Sequence, residues 1–207
     1  MKVSREQMAA NRQRLLDIAS RRFRERGFDG VSVAEVMREA GLTHGGFYGH
    51  FASKEALAAE AATHALLQTA ARWTATLENR GVEGLERLVD AYLSRRHLDA
   101  AGSGCAVATL GPEMARQEAP VRAAFAAGLE QLIDALAGFM PGADAAERRS
   151  RALPLMAQMV GAIVLARAFG GGVQATEILE SVRKAIAIAA AAETRPANPA
   201  ESRHEHD

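Results

Sequence analysis

The chain has 207 residues, of which 48% are hydrophobic, 5% are aromatic and 24% are charged. Ala, Leu and Val dominate the apolar content, so we expect an all-α fold of one or two domains with an ample core. The single cysteine, Cys105, excludes an intramolecular disulfide, and a formal net charge of zero argues against nucleic-acid binding by the surface as a whole.

Charge is unevenly distributed along the chain. Residues 1–57 hold ten Lys or Arg and seven Asp or Glu, a net of +3, and the remainder therefore carries −3. A basic N-terminal part on an acidic body indicates that phosphate affinity is confined to one end of the molecule. No apolar run follows the first charges of the N-terminus, so we predict no signal peptide and a cytoplasmic location.

The first predicted elements form a helix-turn-helix. Apolar residues at helical spacing predict a helix over about residues 6–26, which the glycines on either side of Phe28 would end. Ser32 and Glu35 are spaced as a capping box that would begin a second helix. The break at residues 40–42 leads into a short third helix that begins at Thr43. In this arrangement the last helix enters the major groove, where its first residues contact base edges.

The rest of the chain is predicted to be helical up to a polar tail. Ser53 is expected to cap a long helix that runs to about residue 79. Further helices are predicted over about residues 83–97, 103–116, 119–140, 145–169 and 175–193. Residues 194–207 have almost no apolar content and are predicted to be disordered. The apolar stretch at residues 152–166 is shorter than the roughly 20 residues of a membrane span, so no membrane partner is expected.

Side chains of the third helix are assigned by what each could reach on a DNA duplex. Thr43 is expected to cap the helix and, with His44, to contact base edges. Tyr48 and His50 can donate hydrogen bonds to phosphate oxygens, and Lys54 adds a positive charge at the start of the next helix. Ser32 and Gly45 complete the predicted DNA-binding set.

This motif resembles the DNA-binding signature of the tetracycline-repressor (TetR) family of bacterial transcriptional regulators. The signature is matched in order by Thr43, Gly45, Phe47, Tyr48, His50, Phe51 and Lys54. The resemblance implies a DNA-binding domain at residues 1–52, with Phe47 and Phe51 facing inward, and an effector-binding and dimerisation domain at residues 53–193. The implied function is that of a repressor, or less typically an activator, that an effector releases from a palindromic operator.

The same resemblance implies that the last two long helices form a four-helix homodimer interface with a second copy. Their composition is compatible with that role, because apolar residues recur at helical spacing in both. These residues are Met156, Met159, Val160, Ile163, Val164 and Ala168 in one helix and Ile178, Val182, Ile186 and Ala189 in the other. The alternative is that these apolar faces belong to the core of the monomer.

A small-molecule effector is implied by the family, and its site is predicted only by residue type. The candidate lining residues are Trp73, Tyr92, Leu110, Met114, Phe125 and Phe139, although residues of these types at such spacing more often belong to the core. Cys105 is a second candidate sensor. Ser103 would cap a helix with the Cys105 thiol in its first turn, and a helix N-terminus stabilises thiolate. Otherwise Cys105 is a small buried hydrophobe.

Three further alternatives belong to other classes of protein. An enzyme with Cys105 as nucleophile and His97 as base lacks a recognisable third group, so no enzymatic activity and no cofactor are expected. His204 and His206 have a suggestive spacing for a metal but lie in the polar tail, so no metal site is predicted. An architectural protein that binds DNA without an effector remains an alternative to a repressor.

Overall fold

The computed structural model describes residues 4–78 and 81–193, and this part of the chain is all-α, as expected. Its nine α-helices are α1 (Arg5–Arg26), α2 (Val33–Glu39), α3 (Lys54–Glu78), α4 (Gly81–Tyr92), α5 (Arg95–Asp99), α6 (Ala106–Leu110), α7 (Ala119–Ala137), α8 (Ala145–Ala168) and α9 (Gly172–Glu193). Three 3₁₀ helices lie between them, at His44–Gly49, Ala101–Ser103 and Gly111–Arg116. The predicted disordered tail at residues 194–207 lies outside the described residues.

The N-terminal three helices pack around a small aromatic and aliphatic core. Gly27 ends α1 with a φ of 73°, a conformation that favours glycine. The predicted capping box is confirmed: the Ser32 hydroxyl accepts from the Glu35 amide at 3.2 Å, and the Glu35 carboxylate accepts from the Ser32 amide at 3.0 Å. Phe23 and Phe47 are fully buried between these elements.

Helix α3 joins the N-terminal unit to the body. Its predicted cap is confirmed, because the Ser53 hydroxyl accepts from the Ala56 amide at 3.2 Å. One face of α3 packs on α1 and the other on α7. Gly128 allows the close approach of α7, since a Cβ there would lie 2.9 Å from a methyl of Leu66. The same helix therefore contributes to both cores.

Two predicted helices are interrupted. The helix expected over residues 83–97 stops at Tyr92, and Ser94 caps a new one by accepting from the His97 amide at 3.2 Å. The helix expected over residues 103–116 is three short pieces. Gly102 there lies directly against the Glu25 side chain of α1, with no space for a Cβ. The segment therefore packs against the surface of α1.

Helices α8 and α9 form an antiparallel pair joined by glycines. Asp144 caps α8 by accepting from the Glu147 amide at 2.8 Å, and residues 170–172 are glycines that all have positive φ. The predicted bounds of this pair are correct to within a few residues. By length and hydropathy alone α8 could cross a membrane, a test that core helices of soluble proteins also pass.

Candidate nucleic-acid interface and internal cavity

The element predicted to meet DNA is a 3₁₀ helix, His44–Gly49, which we call the reading helix. Phe47 anchors it in the core, and its ring lies 5.8 Å from that of Phe51. Phe51 is buried beneath the guanidinium of Arg12 on α1, 4.7 Å from the ring centre. Both phenylalanines face inward, as the family resemblance implies. The next residue after Phe47 points outward: Tyr48 is 72% exposed, which is unusual for an aromatic side chain.

The first residues of the reading helix are exposed and leave their backbone accessible. Thr43 occupies the position before the helix, but its hydroxyl makes no capping hydrogen bond, so the predicted capping role is wrong. His44 is also exposed, and a Cβ added at Gly45 or Gly49 would meet nothing within 4 Å. Three glycines in six residues disfavour an α-helix, which is consistent with the tighter 3₁₀ form. The remaining predicted contacts, His50 and Lys54, are half-buried, and Ser32 is exposed.

Half of the eight arginines in the basic N-terminal part have acidic partners. Arg12 pairs with Glu60, Arg21 and Arg22 pair with Glu25 and Glu39, and Arg26 pairs with Glu35. The Ser32 amide and Arg26 lower the pKa of Glu35 to about 2, so this pair remains charged at neutral pH. Sequence charge alone therefore overstates the cations available to phosphate.

Within the described residues, the cations without an ion-pair partner in this part of the chain are Arg5, Arg14, Arg24, Arg38 and Lys54. Arg14 donates to the Ala40 carbonyl at 3.3 Å. Arg24 is only 6% exposed and is directed into the body, so it is not available to DNA. Arg38, an exposed residue on α2 that sequence reasoning did not single out, is the additional candidate phosphate contact.

A cavity of about 450 Å³ lies in the body between α3, α4, α5 and residues 100–105. Its lining comprises Thr69, Arg72, Trp73, Thr76, Arg87, Leu88, Ala91, Tyr92, Ser94, Arg96, His97, Ala100, Ser103, Gly104 and Cys105. Of the predicted effector residues, Trp73, Tyr92 and Cys105 therefore meet at one site, and the Trp73 and Tyr92 rings are 5.9 Å apart.

The other predicted effector residues do not line this cavity, so that part of the prediction is wrong. Leu110 is fully buried on α6, and Phe125 is buried on α7, the helix that packs against α3. Met114 is half-buried against the core in the 3₁₀ helix Gly111–Arg116. These apolar side chains pack in the core, and residue type alone does not distinguish a core residue from one that lines a ligand site.

Cys105 lies at the wall of the cavity and is 3% exposed. It precedes α6 as the capping residue, so the prediction that Ser103 caps a helix with the thiol in its first turn is wrong. His97 holds the segment in place. Its Nδ1 donates to the Tyr92 carbonyl at 2.7 Å, and its Nε2 accepts from the Cys105 amide at 2.9 Å. Both ring nitrogens are thus engaged with backbone groups, and neither is free to act as a base for the thiol.

Burial lowers the pKa of His97, against the raising effect of its bond to the Tyr92 carbonyl, and Arg167 and Arg72 lower it further. The neutral tautomer with the proton on Nδ1 is the form that these two bonds require. His97 therefore acts as a structural connector between α4 and the segment that carries Cys105.

The wall of the cavity is tied directly to the DNA-binding unit. Arg24 of α1 donates from Nη1 to the Gly104 carbonyl at 2.8 Å and from Nε to the Ser20 carbonyl at 3.0 Å. Burial, followed by the nearby charge of Arg72, lowers the pKa of Arg24 to about 10. A second connection joins the Phe28 amide to the Glu113 carboxylate at 3.1 Å. Movement of the cavity wall would therefore displace the end of α1.

The outer surface of α8 carries an apolar stripe, which we call the α8 stripe. Its members are Leu153, Ala157, Gly161, Leu165 and Ala168. Leu165 is 57% exposed, and a Cβ at Gly161 would meet nothing within 4 Å. The stripe differs from the predicted interface, because Met156, Met159 and Ile163 are buried in the monomer core. For those three residues the core alternative is correct.

Among the described residues, no three His, Cys, Asp or Glu side chains are grouped so that they could hold a metal ion. His204 and His206, the residues considered for such a site, lie outside the described residues.

Comparison with known proteins links the N-terminal unit to one family. Residues 15–61 match the family model for bacterial regulatory proteins of the tetR family. The HTH-type transcriptional regulator YdgC of Bacillus subtilis is 45% identical over 53 residues, which are 26% of this chain and 27% of YdgC. The HTH-type transcriptional repressor DhaR of Mycobacterium sp. is 30% identical over 104 residues, 50% of this chain and 52% of DhaR. The chain thus matches at most about half the length of these relatives.

Solved structures show the same fold over most of the chain. The reduced form of Escherichia coli NemR aligns with a TM-score of 0.72 at 23% identity, covering 86% of this chain and 95% of NemR. A transcriptional regulator from Saccharomonospora viridis in complex with choline aligns with a TM-score of 0.67 at 19% identity, covering 86% and 96%. At these identities the likeness concerns the fold.

Proposed function

We propose that the chain is a sequence-specific transcriptional regulator of the TetR family and not an enzyme, because its N-terminal unit matches the tetR family model and resembles the repressor DhaR. It acts in the cytoplasm as a homodimer, most simply as a repressor, and an effector releases it from a pseudo-palindromic operator. The observation that carries this proposal is the reading helix, which is anchored by buried Phe47 while Thr43, His44 and Tyr48 are exposed beside it.

Contacts with DNA divide into those that read sequence and those that hold the backbone. Thr43 and His44 lie at the start of the reading helix, where Gly45 lets the backbone approach base edges closely. The free hydroxyl of Thr43 favours a base contact, since no helix amide occupies it.

Phosphate contacts are assigned to the groups around the reading helix. Tyr48 and His50 donate hydrogen bonds, and Arg38 and Lys54, which form no ion pair within the described part of the chain, supply positive charge. Ser32, at the exposed start of α2, completes the set on the side where that helix would cross the backbone.

A second copy of the chain is the proposed partner of the α8 stripe. Two small residues, Ala157 and Gly161, separate its two leucines, which allows close packing of two helices. Ile188, 71% exposed near the end of α9, extends the apolar surface. Two-fold symmetry would place two reading helices about 34–36 Å apart, or a multiple of one turn, and so explains a palindromic target.

The proposed effector site is the cavity lined by Trp73, Tyr92 and Cys105. The effector acts by binding the DNA-incompetent state more tightly, because equal affinity for both states shifts nothing. Two routes lead from the cavity to DNA: α3, which spans both units, and the bond from Arg24 to Gly104. Covalent modification of Cys105 is the second proposed trigger, and it requires opening of the buried wall.

Selection from a pool of random duplexes tests the proposal. The purified protein should enrich palindromes whose half-sites are spaced by about one helical turn or a multiple of it. Competition with excess non-operator DNA distinguishes the regulator from the alternative. An architectural protein that needs no effector would be displaced from a selected duplex by non-operator DNA as readily as by more of the selected duplex. Enrichment of no sequence would favour that alternative and contradict the regulator.

A further inference from the structure

The cavity in the body carries cations and no acids. Its lining includes Arg72, Arg87 and Arg96, whereas none of the described lining residues is Asp or Glu. Arg72 donates to the Thr69 hydroxyl at 3.1 Å, and no carboxylate pairs with any of the three among the residues described. Three unpaired guanidinium groups around one opening create a positive potential that attracts an anion.

Two further arginines reinforce that potential from behind the wall. Arg24 and Arg167 donate to backbone carbonyls, Arg24 to Gly104 and Arg167 to His97 and Leu98. Nη1 of Arg167 is buried without a hydrogen-bond partner in the described structure. Burial is the main cause of the lowered pKa values of Arg24 and His97, and the positive charge of Arg72 lowers both further. A bound anion would relieve this repulsion.

Another part of the cavity lining is apolar. Trp73 and Tyr92 present their rings at an interplanar angle of 68°, and Leu88 and Ala91 continue the apolar surface. The Tyr92 hydroxyl is buried, and its pKa is raised well above the usual value, mainly by burial and then by the neighbouring Cys105 thiol. A volume of about 450 Å³ is within the range of sites for small organic molecules.

We propose that this cavity binds an amphipathic organic anion, with a carboxylate paired to Arg72 and an aromatic or alicyclic body against Trp73 and Tyr92. The inference deepens the proposed function, since it names the chemical class of the effector. A quaternary ammonium ion such as the choline bound by the Saccharomonospora viridis regulator is excluded from the same position by charge. Arg72 supplies a planar pair of donors that matches a carboxylate.

The chain provides its own reporter of binding, because Trp73 is its only tryptophan. We would titrate the full-length protein with three molecules that share one skeleton: 4-tert-butylbenzoate, 4-tert-butylbenzamide and 4-tert-butylbenzylammonium. Calorimetry gives the affinity, and Trp73 fluorescence shows that binding is at this cavity. A charge-assisted pair with Arg72 predicts about tenfold or greater preference for the carboxylate over the amide.

Arg72→Gln should reduce carboxylate affinity about tenfold and leave amide affinity unchanged. Arg95→Gln is the matched control, because Arg95 is an exposed arginine that pairs with Asp99 and does not line the cavity. Equal binding of acid and amide, preference for the ammonium ion, no binding of any probe up to millimolar concentration, or equal effects of the two variants would overturn the inference.

Selection of duplexes in the absence of any probe molecule shows whether the proposed function or the anion site has failed. A protein that selects a palindrome but does not prefer the carboxylate contradicts only the anion site. A protein that prefers the carboxylate but selects no duplex contradicts the regulator and leaves the anion site intact.

Discussion

Ion pairing within the N-terminal unit predicts which arginines DNA binding will depend on. Arg38 on α2 is exposed and has no acidic partner among the described residues, whereas Arg22 on α1 donates from Nε to Glu39 at 2.8 Å. Both carry one positive charge, so the sequence ranks them equally. The structure predicts that only Arg38 releases counterions from phosphate.

The expected magnitude follows from counterion release. Each phosphate contact contributes about 0.9 to the slope of log affinity against log salt concentration. Arg38→Gln should therefore make the slope shallower by about one. Arg22→Gln should change it little, and Arg21 remains to pair with Glu39 in that variant. The lost surface pair should affect folding little, because solvent screens the charges of exposed ion pairs.

Fluorescence anisotropy with one labelled duplex, measured between low and moderate salt, gives the slope for both variants and for the unmodified chain. Thermal unfolding of each variant confirms that the fold is retained. Equal slopes for Arg38→Gln and the unmodified chain, or an effect of Arg22→Gln as large as that of Arg38→Gln, would refute the reasoning.

Three other predictions concern assembly, pH and the thiol. Leu165→Asp should convert dimer to monomer in sedimentation without loss of helix content, because Leu165 is exposed in the monomer, and a variant that stays dimeric would contradict the proposed interface. Val164→Asp is less informative, since Val164 is half-buried and the substitution would affect folding as well as dimerisation. The pKa of His97 is lower in the folded than in the unfolded chain, so the contribution of His97 to stability should be complete above about pH 6.5 and lost as the pH falls below that value. In urea denaturation the stability of His97→Gln should depend less on pH over this window than that of the unmodified chain, and an identical pH dependence would contradict the role of neutral His97. Buried Cys105 should react with a maleimide about a hundredfold more slowly in the native protein than in urea, and equal rates would show that the wall is already open.

The sequence was sufficient for the fold class, the helix-turn-helix and the caps at Ser32 and Ser53, because these depend on local chemistry, whereas the caps predicted at Thr43 and Ser103 are wrong. Ser32 with Glu35, and Ser53 before α3, form the predicted hydrogen bonds between residues three apart. The inward direction of Phe47 came from the family motif. Each of these features is encoded within a few neighbouring residues.

The body could not be predicted equally well, because its details depend on contacts between distant residues. Gly102 lies against the Glu25 side chain of α1, and these two residues are more than seventy positions apart in the sequence. Leu110 and Phe125 have the composition of a ligand site but fill the core, and Arg72, which residue type did not suggest, lines the cavity. Pairing of the arginines is likewise a tertiary property that charge counting misses.

The bases that the protein prefers in a duplex test whether the reading helix recognises DNA sequence. The bases enriched from a random duplex pool would be compared for the unmodified chain, His44→Ala and Lys54→Ala. The account predicts that His44→Ala changes the preferred base at one symmetrical pair of positions, while Lys54→Ala weakens binding to all sequences and leaves the preference unchanged. An identical base preference in His44→Ala, or no preference in the unmodified chain, would contradict the assignment of this surface as a sequence reader.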